Sequence, residues 1–444
     1  MTVVLWCLAF GVLAIVPMYA WWVRGRVYAL FAFVILGLSL PGALATHGRL
    51  VAWWPSVLAP VVALAFAYPL AAAALHLGSL VRARLRPPSF RFLVSLPGMT
   101  FIAAGFLAGL WLLALLPIRA VLDAADLDRA LALTRWLDLL PFGVAGLSVV
   151  TSMRLRDEVV RIPLAPVVAP PQDATTSRPD PTGTSALTRI EVDRHRRDPP
   201  PLPQRPLRIV QIADPHLGPW QPVRTLQRRI ERLLRHDPDL VLLTGDFLTM
   251  EGTGSTGALA EALCPLESFG NRCFAILGNH DHDDGARGEV ERALARNRVH
   301  LLVDAETSVT TATGYVQLVG ADWVGRGRRE HIRDLLARHP RRDEHLRLLL
   351  LHDPSVFRHV PPGDVDLALA GHTHGGQLGL LSVGLRWTVL SRSAWPDHGL
   401  FAHGASRLYV HRGTGFYGFP LRVGVPGEAS LLEVVIRSNA RNFS

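Results

Sequence analysis

The chain has 444 residues, of which 49% are hydrophobic and 19% charged. That mean is too apolar for one soluble globule and too polar for a membrane bundle alone, and it excludes disorder and collagen-like repeats. Three cysteines, Cys7, Cys264 and Cys273, cannot staple a chain of this length, which excludes a disulfide scaffold. The net charge of +9 is unevenly placed: residues 1–162 carry 13 arginines against 6 acidic residues, and residues 206–444 carry 27 against 26. A surplus confined to the apolar third fits membrane topology better than a phosphate-tracking groove, so no nucleic-acid partner is expected.

No Asp or Glu precedes Asp123. Apolar runs at residues 3–23, 27–46, 51–80 and 94–118 each reach the ~20 residues needed to cross a bilayer. A weaker run at 137–155, interrupted by Pro141, makes a fifth span. The arginines alternate between the intervening loops. Arg24 and Arg26 lie in the first, Arg82, Arg84, Arg86 and Arg91 in the third, and Arg154, Arg156 and Arg161 after the fifth span, whereas the second holds only Arg49. The positive-inside rule places the Arg-rich side in the cytoplasm, and with it everything that follows. Residues 1–160 are thus expected to be a membrane domain. Residues 161–206 follow as a linker, since 163–206 hold 11 of the 33 prolines and no hydrophobic periodicity. In this linker the basic run at 194–197 could meet anionic headgroups, although a solvated charge run is the plainer reading.

From residue 207 onward, strand-like and helical patterns alternate. Strands are predicted at 207–213, 240–244 and 273–277, with helices at 223–234, 258–269 and 287–296 between and after them. Further β-rich runs follow at 308–311, 315–320, 346–351, 367–370, 408–411 and 431–436. This order predicts an α/β sandwich for residues 207–444, behind an α-helical membrane domain of about five spans. Polar residues cluster where the strands end: Asp214-Pro215-His216, Gly245-Asp246, Gly278-Asn279-His280-Asp281, His352-Asp353, and Gly371-His372-Thr373-His374-Gly375-Gly376. In open α/β sheets such loops converge on one site, and glycines beside them allow tight turns and close backbone approach. Carboxylate, imidazole and amide donors suit Mn²⁺, Fe or Zn²⁺, and a carboxylate between two ions can bridge them. Each motif alone is commonly a turn or a helix cap, but all five in this order are not.

The order DxH, GD, GNHD, a strand-terminal His and GHTHGGQ resembles the calcineurin-like metallophosphoesterase superfamily. The extended segment 371–377 and the tail YVHRGTGFYGFPLR at 409–422 are similar to one branch of it, which includes bacterial phosphodiesterases and transmembrane proteins with a metallophosphoesterase domain. The resemblance implies two divalent metal ions. Asp214, His216, Asp246 and His374 would hold one, and Asp246, Asn279, His352 and His372 the other, with Asp246 shared. It also implies that His280 faces the scissile phosphate, oriented by Asp281. Two cations would neutralise the anionic ester and acidify a water between them, and His280 as imidazolium would serve the leaving oxygen. His282, Asp283 and Asp284 read as solvated loop residues, Asp353 as a turn or supporting group, and Arg412 as a possible phosphate contact.

The expected activity is therefore metal-dependent phosphoester hydrolysis at a bacterial-type cell membrane. Membrane lipids are the expected surroundings, and a lipid-linked phosphodiester or diphosphate is the expected substrate, in the manner of UDP-diacylglucosamine pyrophosphatases or phospholipid phosphodiesterases. The aromatic segment 415–421 could form a lip for an acyl chain, or pack within the last strands. Two other readings fit the residues: an anchored nuclease or phosphatase for soluble substrates, and a transporter or sensor with a regulatory phosphoesterase-like domain. Against transport, the first four spans contain no internal carboxylate.

Overall fold

The computed structural model describes residues 2–164, 187–196, 199–283 and 285–436. It divides into two compact units, Met1–Met153 with Tyr417–Val423, and Arg154–Phe416 with Gly424–Ser444.

The first unit is helical: α1 (Thr2–Arg24), α2 (Arg26–Trp53), α3 (Ala59–Ser79), α4 (Leu96–Ala124) and α5 (Leu140–Met153). Five stretches are long and apolar enough to cross a membrane, Val3–Arg24, Arg26–Trp53, Ser56–Ser79, Pro88–Ala124 and Asp128–Met153. The second and third divide around Trp54 and Pro55, because Pro55 lacks the N–H that would continue α2. Helices α2 and α4 meet at a glycine contact, where a Cβ on Gly42 would collide with the backbone of Gly105 and Gly109. Small residues at such crossings let backbones approach where lipid offers no hydrophobic drive. Asp138 is fully buried and bonds Arg49 Nε (2.7 Å) and Arg119 Nη2 (2.6 Å).

Tyr417–Val423, distant in sequence, completes this unit. Phe419 and Leu421 pack against Ala103, Ala104 and Ala145. Ser148 Oγ donates to Pro420 O (2.8 Å), Thr151 Oγ1 donates to Arg422 O (2.6 Å), and Arg422 N donates to Ser152 Oγ (2.8 Å). The aromatic segment read as an acyl lip or as strand packing is therefore divided. Phe416 stacks on Trp220 in the second unit, and the residues after it belong with the helices.

The second unit is a sandwich of two seven-stranded sheets. Its elements in order are β1 (Leu155–Leu164), β2 (Thr188–Ile190), β3 (Asp193–His195), β4 (Leu207–Ile212), α6 (Val223–Leu234), β5 (Leu240–Thr244), α7 (Ala258–Leu263), β6 (Cys273–Ile276), α8 (Ala286–Arg296) and β7 (His300–Leu301). Then follow β8 (Ala305–Thr311), β9 (Gly314–Gly320), α9 (Arg328–Arg338), β10 (His345–Leu350), β11 (Leu367–Ala370), β12 (Gly399–His403), β13 (Ser406–Val410) and β14 (Gly427–Ile436). One sheet runs β3-β1-β14-β4-β5-β6-β7 and the other β2-β12-β13-β11-β10-β9-β8. Strands β4, β5 and β6 are parallel neighbours, as are β9, β10, β11 and β13, so their C-terminal ends discharge loops along one edge of each sheet. Alternate residues pack between the sheets, Ile209, Leu242 and Ile276 from one against Leu318, Leu350 and Leu369 from the other. The opposite faces, Val210 and Leu243 on one and Leu349 and Ala368 on the other, lie under α6–α8 and α9 respectively.

Strand β1 begins two residues after the last membrane helix and pairs in parallel along its whole length with β14. The sequence reading runs the fifth span to residue 155 and starts the linker at 161. The apolar residues of β1, Val159, Val160 and Ile162, are instead buried in the sheet. Strands β2 and β3 also fall inside the segment expected to be linker, while its residues 165–186 and 197–198 lie outside those described.

Candidate metal centre

Five loops bring the predicted residues together. Asp214 and His216 follow β4, Asp246 follows β5, Asn279 and His280 follow β6, His352 follows β10, and His372 and His374 follow β11. Two groups could each hold a metal ion: Asp214, His216 and His374, and Asp246, His352 and His372. Asp246 joins the groups, since its Oδ2 lies 3.2 Å from His352 Nε2 and 3.7 Å from His216 Nε2. Asn279 lies beside the second group, with its Oδ1 3.1 Å from His352 Nε2.

The backbone is strained where these side chains converge. Of the eleven non-glycine residues with positive φ among those described, five are Asp214, His216, Asp246, His372 and His374. Each such residue costs about 1–3 kcal/mol and persists only when its surroundings dictate it. Two glycines keep the loops close, as a Cβ on Gly278 would strike Asp246 Oδ1 and one on Gly371 would strike Asp214 Oδ2. The side chains are also held from behind. Asp214 Oδ1 accepts from His372 N (2.8 Å), Asp246 Oδ1 accepts from His280 N (2.9 Å), and His352 Nδ1 lies 2.8 Å from Thr244 O. The Thr244 contact puts a proton on His352 Nδ1 and turns Nε2 inward, the arrangement by which a carbonyl fixes a metal-binding imidazole.

Electrostatics divide the imidazoles of the cluster, lifting His352 towards the charged form and holding His216 and His372 neutral. Burial opposes the imidazolium form of His352, yet Asp246 nearby and its hydrogen bond lift the pKa to about 10. Burial alone would likewise raise Asp246, but His352, His216 and His280 hold it well below the usual carboxylate range. His216, fully enclosed, is pushed down to about 3 by burial and stays neutral. Its Nε2 lies 3.2 Å from His374 Nε2, as does His352 Nε2 from His372 Nδ1. Converging imidazole nitrogens and carboxylate oxygens, without sulfur, fit divalent cations of the hard-to-borderline kind.

The structure assigns Asp281 a different place from the expected one. It does not orient His280 through its carboxylate; Oδ2 accepts from Asp246 N (2.7 Å) and Gly278 N (2.8 Å), and Oδ1 from Phe247 N (2.8 Å). The carboxylate beside His280 belongs to Asp283, whose Oδ2 is 3.2 Å from Nδ1. Burial lowers the His280 pKa, but Asp283 and Asp246 outweigh it and the net shift is upward. Asp283 is exposed, in line with its reading as a solvated loop residue, whereas His282 Nε2 lies 3.0 Å from Asp322 Oδ1. Asp353 caps the turn Pro354–His359 through Ser355 N (2.8 Å) and pairs with Arg328. Arg412 is buried and bonds Glu158 (2.6 Å) and Glu428 (3.1 Å), two carboxylates that no motif marked. Asp284 lies outside the described residues.

Comparison with known proteins agrees with this geometry. Residues 207–376 match the family model described as calcineurin-like phosphoesterase. The chain is 30% identical over 236 residues to phosphodiesterase YaeI of Escherichia coli, covering 52% of this chain and 83% of that protein. It is 27% identical over 271 residues to the transmembrane protein with metallophosphoesterase domain of Bos taurus, covering 56% of each. A shorter likeness, 40% over 77 residues, links it to UDP-2,3-diacylglucosamine pyrophosphatase LpxG of Chlamydia muridarum, over 17% of this chain and 23% of that one. Likeness on this scale, with five spans ahead of the matched region, places the chain in the calcineurin-like phosphoesterase family, as a membrane-integral metallophosphoesterase that hydrolyses phosphoesters.

Proposed function

We propose that the substrate is a lipid-linked phosphodiester or diphosphate, hydrolysed on the cytoplasmic side with two divalent cations. The carrying observation is the position of Asp246 Oδ2 within reach of both imidazole groups. Asp214, His216, Asp246 and His374 would hold one cation, and Asp246, Asn279, His352 and His372 the other. When bound, the cations neutralise the ester and bring the pKa of water towards ~7. His280 supplies positive charge and a proton to the leaving oxygen, helped by the Asp283 carboxylate beside its ring. Asp281 acts on the main chain, locking the loops after β5 and β6 in one register.

Two observations support the lipid link: the five spans, and the partial likeness to a protein named as a diacylglucosamine pyrophosphatase. The alternating loop arginines support the cytoplasmic side. The test compares kcat/KM for a lipid-linked diphosphate and its deacylated analogue, using full-length protein in bilayers with Mn²⁺. A preference of roughly tenfold or more for the acylated compound is expected, since burying even two methylenes is worth ~1.6 kcal/mol. Equal values would leave an anchored enzyme for soluble esters.

A further inference from the structure

The second unit contains another cavity, of about 300 Å³, walled by β1, the β2–β3 segment and the chain around His398. Six arginines reach it: Arg156, Arg189, Arg194, Arg196, Arg386 and Arg412. Four carboxylates meet them. Glu158 pairs with Arg194 (2.7 Å) and Arg412 (2.6 Å), Glu428 with Arg412 (3.1 Å), Asp397 with Arg189, and Glu191 with Arg386. Among the described residues, an excess of two positive charges is left. Among the described residues, Arg156 hydrogen-bonds Ser382 Oγ (3.1 Å) and no carboxylate, and the exposed Arg196 makes no hydrogen bond or ion pair. Arg194 keeps Nη2 buried without a hydrogen bond. Burial, together with Arg196 and Arg412 nearby, depresses the Arg156 guanidinium below its usual range.

We propose that this cavity binds a phosphate or diphosphate group at a site separate from the two cation groups, with Arg156, Arg194 and Arg196 as its recognition residues. Guanidinium forks pair with phosphate oxygens two at a time, and an excess of two charges matches a phosphate dianion. A cavity of this size also admits whatever the phosphate is attached to. The walls share loops with the candidate metal centre. Thr373 Oγ1, between His372 and His374, donates to Asp397 O (2.6 Å), and Gly415 N, three residues beyond Arg412, donates to Asp214 O (3.0 Å). The inference reaches beyond the proposed hydrolysis, because it requires neither cation to be present.

The test follows binding of inorganic phosphate by phosphorus NMR, using full-length protein in phosphatidylcholine nanodiscs with Mn²⁺. Asp246→Asn should keep phosphate binding at this cavity. Arg196→Gln should weaken it roughly tenfold and Arg156→Gln with Arg196→Gln roughly a hundredfold, since each charged hydrogen bond is worth ~1.5 kcal/mol or more. Both should leave Mn²⁺ content and turnover of an aryl phosphodiester unchanged. Arg196 is exposed and without a partner among the described residues, so the single variant reads out binding without unfolding the sheet. Phosphate binding that vanishes in Asp246→Asn, or that persists undiminished when Arg156→Gln and Arg196→Gln are added to Asp246→Asn, overturns the proposal. If phosphatidic acid added to the bilayer displaces phosphate, the natural group is a lipid headgroup; if it does not, the group is soluble, and the site stands in either case.

Discussion

Asp281 and Asp246 are joined through the main chain: the fully buried Asp281 carboxylate takes the Asp246 N–H at 2.7 Å, while the Asp246 carboxylate faces the candidate ligands. Two further N–H groups, from Phe247 and Gly278, close on the same side chain. Asp281→Ala would leave three buried donors without acceptors, at about 1–3 kcal/mol each. The expected outcome is a lower melting temperature together with lost metal content. His280→Ala should lower neither, and a difference scan of both variants checks the separation.

Asp246→Asn should harm both cation groups, because a single carboxylate oxygen lies near an imidazole of each. The expected result is fewer than two Mn²⁺ per chain by metal analysis. In His280→Ala the metal content should stay that of the unmodified chain, while kcat on an aryl phosphodiester falls roughly 10²–10³-fold, the usual loss for one charge-stabilising group.

Chelation should abolish activity and also lower the melting temperature, with Mn²⁺ restoring both. A ligand bound at a hundred times its Kd stabilises the folded state by ~2.7 kcal/mol. Five candidate ligand residues hold positive φ, and bound cations would help to offset that strain. An unchanged melting temperature in excess chelator would count against cation binding by these loops.

Among the helices, Asp138 bonds both Arg49 and Arg119 with no exposure of its own. Asp138→Leu removes the carboxylate partner of the buried Arg119 guanidinium, and breaking a buried pair in this way costs about 3–5 kcal/mol. The single variant should lose yield and thermal stability in detergent. Pairing it with Arg119→Met should recover part of the loss.

On the proposed orientation, a reporter fused to the C-terminus should be active on the cytoplasmic side. Activity on the outer side alone would reverse the proposed orientation.

Much of this architecture was legible because it rests on short-range signals. Uninterrupted apolar length marked the spans, and Asp, His and Asn at the ends of β-rich runs marked the loops after β4, β5, β6, β10 and β11. The rest depends on pairings that no local pattern carries. Strand β1 looks like the end of a membrane helix because its Val159, Val160 and Ile162 form an apolar run, and only its partner β14, some 270 residues away, makes it a strand. Helix α9 was missed although Ile332, Leu335 and Leu336 follow helical spacing, since arginines dominate its composition. The family resemblance implies that Asp281 of GNHD orients His280. In space, the turn sends the carboxylate to backbone donors on a neighbouring loop and leaves Asp283 beside the imidazole. Glu158 and Glu428 carry no motif, and their roles appear only with the arginines folded around them.

The seven residues Tyr417–Val423 decide how the hydrolase could be prepared without its spans. A fragment starting at Arg154 keeps β1 and both sheets, yet it leaves Phe419 and Leu421 without the alanines that cover them and leaves the carbonyls of Pro420 and Arg422 without Ser148 and Thr151. Such a fragment would present a sticky apolar tongue between Phe416 and Gly424, and would self-associate for that reason rather than because its sandwich had failed to fold. Replacing the tongue with a short polar turn, and retaining everything from Arg154 onward, is the cut that the chain's own packing recommends.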